Sequence, residues 1–494
     1  MKEMSVDEIR RAVHGRWRTP ATTVVVGGVS TDTRTVRPGD LFVALKGDRF
    51  DAHDFLADAA AAGCVAAIVR HDARIAQSVL SNIGGGVIGV RDTTEALGQL
   101  AAYHRTRCPA TVVAVTGSNG KTTVKRMIDH ILSRRSVGSC SPKSFNNAVG
   151  VPLTLLSAGW SDDYVVCELG TNAPGEIASL AAIARPDIAV IASVSEAHLE
   201  RLGTIERVAV EKAAILSALG PNGIAVVWAD SDVLDRALRP YDRVRLIRFG
   251  RCDAAQLRLT GYEAAGDGQR FEVNNRLWVS LQLPGRHNAL NALAAIAVAQ
   301  RMGFSQAEAA EALADFAGVE MRLERMKIGP VTVLNDAYNA NPASVAAAAE
   351  ALSSAQAKRR VLIVGDMKEL GDAAEDLHVR TGREMADKRI DLLIGVGPLG
   401  RYIAAGAAQV NVATESFGSV KQAGSALGEL LREGDAVLIK GSRAMGMERL
   451  IEPIRRAFEP SATTQKAAKT RKPKAPAKRS GKPKAARKKK DTRR

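Results

Sequence analysis

Lys121 follows Thr116-Gly117-Ser118-Asn119-Gly120 and precedes Thr122 and Thr123. An apolar, strand-like run (111–115) leads into this turn, and a periodic helix over about 122–132 leads out of it. Strand, glycine turn, Lys-Thr and helix, in that order, form the setting a phosphate-binding loop needs. Backbone N–H groups at the turn and the helix N-terminus would face phosphate oxygens. Lys121 would neutralise β/γ-phosphate charge, and the Thr122 hydroxyl would reach Mg²⁺. The strict Gly-x-x-x-x-Gly-Lys-Ser/Thr pattern lacks its first glycine, where Val115 stands. The plainer alternative is a glycine-rich turn of an α/β protein.

Three further residues carry possible chemistry. Glu168 lies near the end of an apolar run (164–169), beside Gly170. Strand ends on one edge of a parallel sheet converge on the ligand crevice, so a carboxylate there can hold Mg²⁺. An N-cap or a solvated acid is the alternative. His198 follows another apolar run (188–192) and could reach the same crevice as a ligand, or serve structure alone. Lys212 falls on the apolar stripe Ile205, Val208, Ile215, Leu219 of a helix expected over 205–219. A buried lysine needs a reason. It could snorkel, pair with phosphate, or, with a depressed pKa, add carbon dioxide to become a metal-binding carboxylate.

The remaining candidates lie further along. His287, Asn288 and Asn291 follow Pro284-Gly285-Arg286, and the two asparagines share a helix face. They could grip a base or phosphate, or cap the helix. Asn335-Asp336-Ala337-Tyr338-Asn339-Ala340-Asn341-Pro342 follows the run 331–334. So many hydrogen-bonding groups after a strand suggest ligand contacts; a surface Asx-turn is the alternative. Arg322, just before, would bring positive charge to the phosphates if domains close.

The elements that must place these residues alternate between strand and helix. Strands are expected at 24–26, 41–44 and 66–69 with a helix over 55–62, which makes residues 1–107 a small α/β domain. Residues 108–320 read as a parallel sheet with covering helices, with strands at 111–115, 164–169, 188–192 and 224–228. Residues 240–283 read as antiparallel strands, followed by helices over 288–301 and 305–316. Residues 321–458 read as a third α/β unit, with strands at 361–364, 392–395 and 436–439 and helices over 344–352 and 416–431. A chain of 494 residues has room for three or four domains of about 150 residues.

Composition narrows the class. Hydrophobic residues are 46% and charged residues 25%, as in globular proteins, while aromatics are only 4%, so the cores must be aliphatic. The net charge is +16, but residues 461–494 hold fifteen Lys or Arg against Asp491 alone. That segment carries +14 and leaves +2 for the rest, which argues against a nucleic-acid-dependent ATPase with a basic body. Its Lys, Arg, Pro and Ala repeats cannot build a core, so residues 459–494 are expected to be a disordered tail. Such a tail could meet anionic membrane lipid, nucleic acid or an acidic protein. The five cysteines are odd in number and scattered, without a Cys-x-x-Cys, which fits a reducing compartment. There is no apolar run of about 18 residues and no signal-peptide core, so a cytoplasmic protein is expected.

Taken in order, the motifs resemble those of the bacterial Mur ligases across about residues 1–458. The likeness rests on Ser30-Thr31-Asp32-Thr33-Arg34, the run from Thr116 to Thr123, Asn146-Asn147 before Gly150-Val151-Pro152, and Glu168-Leu169-Gly170. It continues through Ala197-His198-Leu199-Glu200, Gly285-Arg286-His287-Asn288 with Asn291, and the run from Asn335 to Pro342. Gly365-Asp366-Met367, Glu369-Leu370-Gly371 and Lys440-Gly441-Ser442-Arg443 complete it. Two stretches depart from the family: Phe145 stands where an Asn is usual, and Ser193-Val194-Ser195-Glu196 replaces the usual stretch before the histidine.

The resemblance implies an α/β protein of three domains: a small N-terminal α/β domain for a UDP-sugar substrate (1–107), a central P-loop ATPase domain with a parallel sheet (108–320) and a C-terminal Rossmann-like ligase domain (321–458). It implies ATP-driven amide formation through an acyl phosphate, in the branch that adds D-alanyl-D-alanine to UDP-N-acetylmuramoyl-tripeptide during peptidoglycan precursor synthesis. Gly117, Ser118, Asn119, Gly120, Lys121, Thr122 and Thr123 would cradle phosphate. Thr122 and Glu168 would hold one Mg²⁺, and His198 with a carbamylated Lys212 a second. Asn288, Asn291, Arg322 and Asp336 would contact ATP. Ser30, Asp32 and Arg34 would lie near the UDP-sugar, Asn146 and Asn147 in the substrate site, and Tyr338, Asn339 and Asn341 near D-alanyl-D-alanine. A monomer is expected, weakly associated with the inner face of the membrane. The branch adding a diamino acid usually carries Asp-Asn-Pro-Arg, absent here, and folylpolyglutamate synthetase lacks the N-terminal domain.

Overall fold

The computed structural model describes residues 3–459 except 21–22 and 48–49. The expected disordered tail lies outside the described residues. Three mixed α/β units follow one another, each built on its own sheet. In the first, strands run in the order Arg16–Thr19, Val87–Val90, Ala66–Arg70, Asp40–Val43 and Gly28–Ser30, all parallel but the first. The strand at 16–19 was not legible because it is mostly polar, and the buried strand at 87–90 was missed although its apolar run resembles those that were read. Helix Thr93–Arg107, capped by Asp92, leads out of this unit. Its Leu97, Leu100 and Ala101 share one core with Leu155 and Leu180 of the next unit.

The central unit holds nine strands. Its parallel part is ordered Leu257–Ala265, Arg245–Gly250, Ile224–Trp228, Ile188–Ile191, Thr111–Thr116, Tyr164–Glu168 and Gly138–Cys140. Gly268–Val273 and Leu277–Leu281 extend it antiparallel. The expected antiparallel block over 240–283 is therefore half correct. Arg245–Gly250 runs parallel to Ile224–Trp228 because helix Asp232–Leu238, capped by Ser231, carries the chain back across the sheet. The strand Thr111–Thr116 lies between Tyr164–Glu168 and Ile188–Ile191, so the loop leaving it opens between two neighbours whose C-terminal ends point the same way. Alanine-rich helix Arg286–Arg301, nearly all buried, packs against helix Lys121–Leu132 and covers this sheet.

The third unit orders its strands as Glu324–Ile328, Val331–Asp336, Asp435–Lys440, Arg359–Gly365, Leu392–Val396 and Ala413–Phe417, parallel except for the first. The helix expected over 416–431 is shorter. Ala413–Phe417 is an edge strand, and Ser419 caps helix Val420–Leu430 through the Gln422 N–H. Likewise the helix expected over 205–219 runs only over Ile205–Ala213 and tightens into a 3₁₀ turn, Ala214–Ala218. Among the described residues no helix is long and apolar enough to cross a membrane.

Candidate active site

The glycine turn after Thr111–Thr116 is braced from behind. Gly120 (φ 81°) precedes helix Lys121–Leu132, whose first N–H groups have no partner within the helix. A Cβ on Gly120 would sit 2.4 Å from Asn291 Oδ1, so any side chain there would displace the Asn291 amide. Ser193 and Ser195 lace the turn. Ser118 N–H donates to Ser193 O (2.9 Å), Asn119 N–H to Ser193 Oγ (2.8 Å), and Ser195 N–H to Ser118 Oγ (3.0 Å). Lys121 curls back, its Nζ 2.7 Å from Gly117 O.

Glu168 is buried beneath this turn. Thr122 Oγ1 donates to its Oε2 (2.8 Å) and Asn146 Nδ2 to its Oε1 (3.0 Å). Lys125 Nζ lies 3.6 Å from Oε2, both side chains fully buried. Arg322, from the start of the third unit, donates to Thr122 Oγ1 at 2.8 Å. Burial alone would raise the Glu168 carboxyl, but Lys121, Lys125 and Arg322 outweigh it and hold the pKa below the usual carboxylate value. An anion fixed beside a threonine hydroxyl, under concentrated positive charge, is neither an N-cap nor a solvated acid.

Lys212 is fully buried and its Nζ has no hydrogen-bond partner, which excludes snorkelling. Burial first, and the Lys121 charge second, push its pKa well below 10.5. Its neighbour Glu211 turns the other way and accepts from Gly175 N–H (2.7 Å) and Ile177 N–H (2.8 Å), tying down the loop before helix Glu176–Ala184. His198 takes a left-handed backbone (φ 57°), and its Nδ1 lies 2.5 Å from Glu369 Oε2 of the third unit. Among the described residues no group of three or more His, Cys, Asp or Glu is placed to hold a metal ion.

The third unit closes over the turn. Asp336, at the end of its strand, pairs with Lys440 (2.6 Å), which ends the neighbouring strand and also donates to Asn339 O (2.9 Å). Arg322 stacks over Tyr338 at 4.2 Å. Asn341 is buried and caps helix Pro342–Ser353 through the Ser344 N–H, so a helix cap stands there in place of a surface Asx-turn, and it also bonds Asn119. Asn288 and Asn291 lie inside helix Arg286–Arg301, whose N-cap is Gly285, and are linked to each other at 3.1 Å. Together the two units enclose a cleft of about 720 Å³.

Three stretches of this chain match known family domains: a Mur ligase family catalytic domain over residues 25–105, the Mur ligase middle domain over 115–299, and a Mur ligase glutamate ligase domain over 321–443. The chain is 33% identical to the UDP-N-acetylmuramoyl-tripeptide–D-alanyl-D-alanine ligase of Bacillus subtilis, over 92% of this chain and 99% of that protein. It is 36% identical to the Escherichia coli enzyme of that name, over 87% of this chain and 94% of that protein.

The chain belongs to the Mur ligase family.

Solved Mur ligase structures agree with the fold. A MurF crystal structure from Acinetobacter baumannii superposes with a TM-score of 0.82 at 31% identity, covering 92% of this chain and 99% of that one. A MurF from Thermotoga maritima in complex with ADP gives 0.76 at 27% identity, over 87% and 98%. This Mur ligase is an ATP-dependent ligase, and the expected three-domain α/β fold is borne out.

The cleft gathers most of the residues singled out in the sequence. Ser118, Asn119, Gly120, Lys121, Thr123, Asn146, Asn147, Glu168 and His198 line it from the central unit. Asn288 and Asn291 join them there, and Arg322, Asp336, Tyr338 and Asn339 face them. Ser30, Asp32 and Arg34 do not line it. They form a cluster of their own, where the Arg34 guanidinium clamps Asp32 (2.6 Å) and holds its carboxyl down at about 2. Asn147 Oδ1 accepts from the Val149 (3.1 Å) and Gly150 (2.9 Å) N–H groups where helix Gly150–Ser157 begins. Of the two departures from the family pattern, Phe145 is exposed, whereas Ser193 and Ser195 become struts of the phosphate turn.

Sequence reasoning missed Lys125, Glu211, Glu369 and the ion-pairing role of Lys440. For Lys125 a signal existed: it stands three residues before Ile128 and seven before Leu132, on the apolar side of its helix. Also missed was a second glycine-rich turn, Gly395-Val396-Gly397-Pro398-Leu399-Gly400. It holds no open anion site, because the buried Asp366 carboxylate accepts from the N–H groups of Leu399 (2.9 Å) and Gly400 (3.0 Å).

Proposed function

We propose that this chain joins D-alanyl-D-alanine to UDP-N-acetylmuramoyl-tripeptide, with ATP converted to ADP and phosphate, in peptidoglycan precursor synthesis. One observation carries the chemistry: a phosphate turn with Lys121, and Glu168 beside it, faces Arg322, Asp336, Tyr338 and Asn339 across one cleft. The Bacillus subtilis and Escherichia coli relatives, which share most of the chain, are enzymes of this name. We read residues 1–107, 108–320 and 321–458 as the UDP-sugar, ATP and amine-side domains of a cytoplasmic monomer. Ser30, Asp32 and Arg34 serve the UDP-sugar. Asn146, Asn147, Tyr338, Asn339 and Asn341 serve the acceptor and the amine.

A terminal carboxylate oxygen of the tripeptide attacks the γ-phosphorus. The bond to the β,γ-bridging oxygen breaks, and ADP leaves with that electron pair. The D-alanyl-D-alanine nitrogen then attacks the acyl carbon, loses its proton, and phosphate leaves with the C–O electrons. Lys121 and the N–H groups at the start of helix Lys121–Leu132 hold the phosphates where negative charge gathers. Asn288, Asn291, Arg322 and Asp336 orient ATP. Closure of the third unit keeps water from the acyl phosphate.

The donor set fits Mg²⁺. Thr122 Oγ1 and Glu168 Oε2 lie 2.8 Å apart, two hard oxygen donors of the kind Mg²⁺ takes beside triphosphate. Thr122 and Glu168 would hold one ion, and His198 and Lys212 would serve a second. Bound there, Mg²⁺ supplies the positive charge that lets carboxylate and triphosphate meet. The orphaned Lys212 amine, its pKa pushed well below 10.5 by burial, fits carbamylation: its nitrogen bonds the carbon of carbon dioxide, a proton leaves, and a carboxylate results.

Phosphate release tests the reading, with each nucleotide precursor offered alongside each amine. Release with the tripeptide precursor plus D-alanyl-D-alanine is expected. Release only with the dipeptide precursor and a diamino acid would overturn it.

A further inference from the structure

The phosphate-loop helix buries a second lysine that the steps above do not use. Lys125 is fully buried, yet its ammonium lacks nothing. It donates to Ser141 O (2.8 Å), Ser141 Oγ (2.9 Å) and Lys143 O (2.5 Å), and lies 3.6 Å from Glu168 Oε2. All three of its acceptors belong to the short segment leaving strand Gly138–Cys140. Three residues further on, Asn146 donates to Glu168 Oε1 and its carbonyl accepts from Gly170 N–H at 2.8 Å. The packing there is tight, since a Cβ on Gly170 would lie 2.8 Å from the Asn146 amide. Glu168 is thus gripped at one oxygen by Thr122 of the helix and at the other by Asn146 of the segment. Lys125 is the bond between helix and segment.

We propose that Lys125 is a positioning residue: it pins segment 141–147 to the phosphate-loop helix and so sets the Glu168 carboxylate, with Thr122, in the arrangement that binds Mg²⁺. A buried ammonium can do this where a surface lysine cannot. Three short bonds to fixed acceptors leave it no freedom, and removing it would strand two carbonyls and a hydroxyl in an apolar setting. The inference rests on the reading that Glu168 holds Mg²⁺.

Calorimetry of a non-hydrolysable ATP analogue, titrated with Mg²⁺ and in EDTA, tests it on the full chain. Partners that orient a metal ligand are worth about 10–100-fold in metal affinity. Lys125→Met is expected to weaken Mg²⁺ by at least about tenfold on that basis, leave the analogue's affinity in EDTA unchanged, and speed hydrogen exchange over 141–147. Ser141→Ala, which removes one acceptor, should shift Mg²⁺ affinity the same way but less. A variant that melts earlier yet binds Mg²⁺ as tightly as the wild type overturns the proposal and leaves Lys125 a core residue only. Should Lys125→Met fail to fold, unchanged Mg²⁺ affinity in Ser141→Ala overturns it. A wild-type chain whose analogue binding ignores Mg²⁺ overturns the metal site itself, and this inference with it.

Discussion

Asn119 and Asn341 exchange side-chain amide bonds across the cleft, at 3.2 Å in one direction and 2.9 Å in the other. One residue belongs to the phosphate turn, the other caps the first helix of the third unit. The phosphate site and domain closure therefore share a contact. Asn341 Oδ1 also accepts the Ser344 N–H at 2.9 Å, so that oxygen serves both the cap and the cleft, while Nδ2 serves the cleft alone.

Substitution separates those roles. Asn341→Asp keeps the capping oxygen and loses the Nδ2 donor, while Asn341→Ala loses both. Ala should lower stability by ~1 kcal/mol, the value of a cap, and Asp should not. Both should raise the KM for ATP by about fivefold, the equivalent of one hydrogen bond near 1 kcal/mol. Denaturant midpoints and steady-state kinetics on the pair check this.

Lys212 should trade stability for function. Its buried amine meets no partner, a cost of about 1–3 kcal/mol that methionine removes. Lys212→Met is expected to be more stable and inactive. The pH dependence has a definite sign. The folded pKa lies well below 10.5, so between the two values the unfolded chain binds the extra proton. Stability of the wild type should then rise with pH through that window, and the methionine variant should lack this slope. Denaturation in carbon-dioxide-free buffer at several pH values measures it. Lys212→Ala should be inactive and partly rescued by short carboxylic acids.

How far the sequence reaches is plain at the two buried lysines. Lys212 stood out because its helix alternates apolar and polar positions, and Lys125 passed the same stripe test unnoticed within a loop motif that explained its neighbours. Periodicity finds the residue but not the partner. Nothing local says that Lys125 meets Ser141, or that Glu369, 171 positions on, meets His198. The strands around the phosphate turn were legible because they are buried on both faces and read as continuous apolar runs. Arg245–Gly250 was misread for the converse reason: it is mostly half exposed, and its direction is set by the Asp232–Leu238 crossover.

Gly120 offers a test of close packing at the site. It combines φ 81° with an Asn291 oxygen 2.4 Å from where a Cβ would stand. Gly120→Ala should cost about 1–2 kcal/mol for the backbone alone and displace Asn291 as well. Gly39 has a similar φ of 92° but nothing within 4 Å. Gly39→Ala should therefore lose comparable stability and keep nucleotide affinity, while Gly120→Ala loses both. Nucleotide titration of the two variants decides whether the clash, rather than the strain, governs binding.

The charge excess yields the last prediction. Residues 461–494 carry +14 of the net +16 and lie beyond Arg443, the last residue of the family motifs. Each Lys or Arg near an anionic membrane surface contributes about 1 kcal/mol, screened within a Debye length of about 8 Å at physiological salt. The full chain should therefore sediment with vesicles containing anionic lipid at low salt and release as salt rises. The chain ending at residue 460 should not sediment, and its turnover should match the full chain because every cleft residue is retained. A large fall in turnover at fixed substrate would instead place the tail within the catalytic cycle.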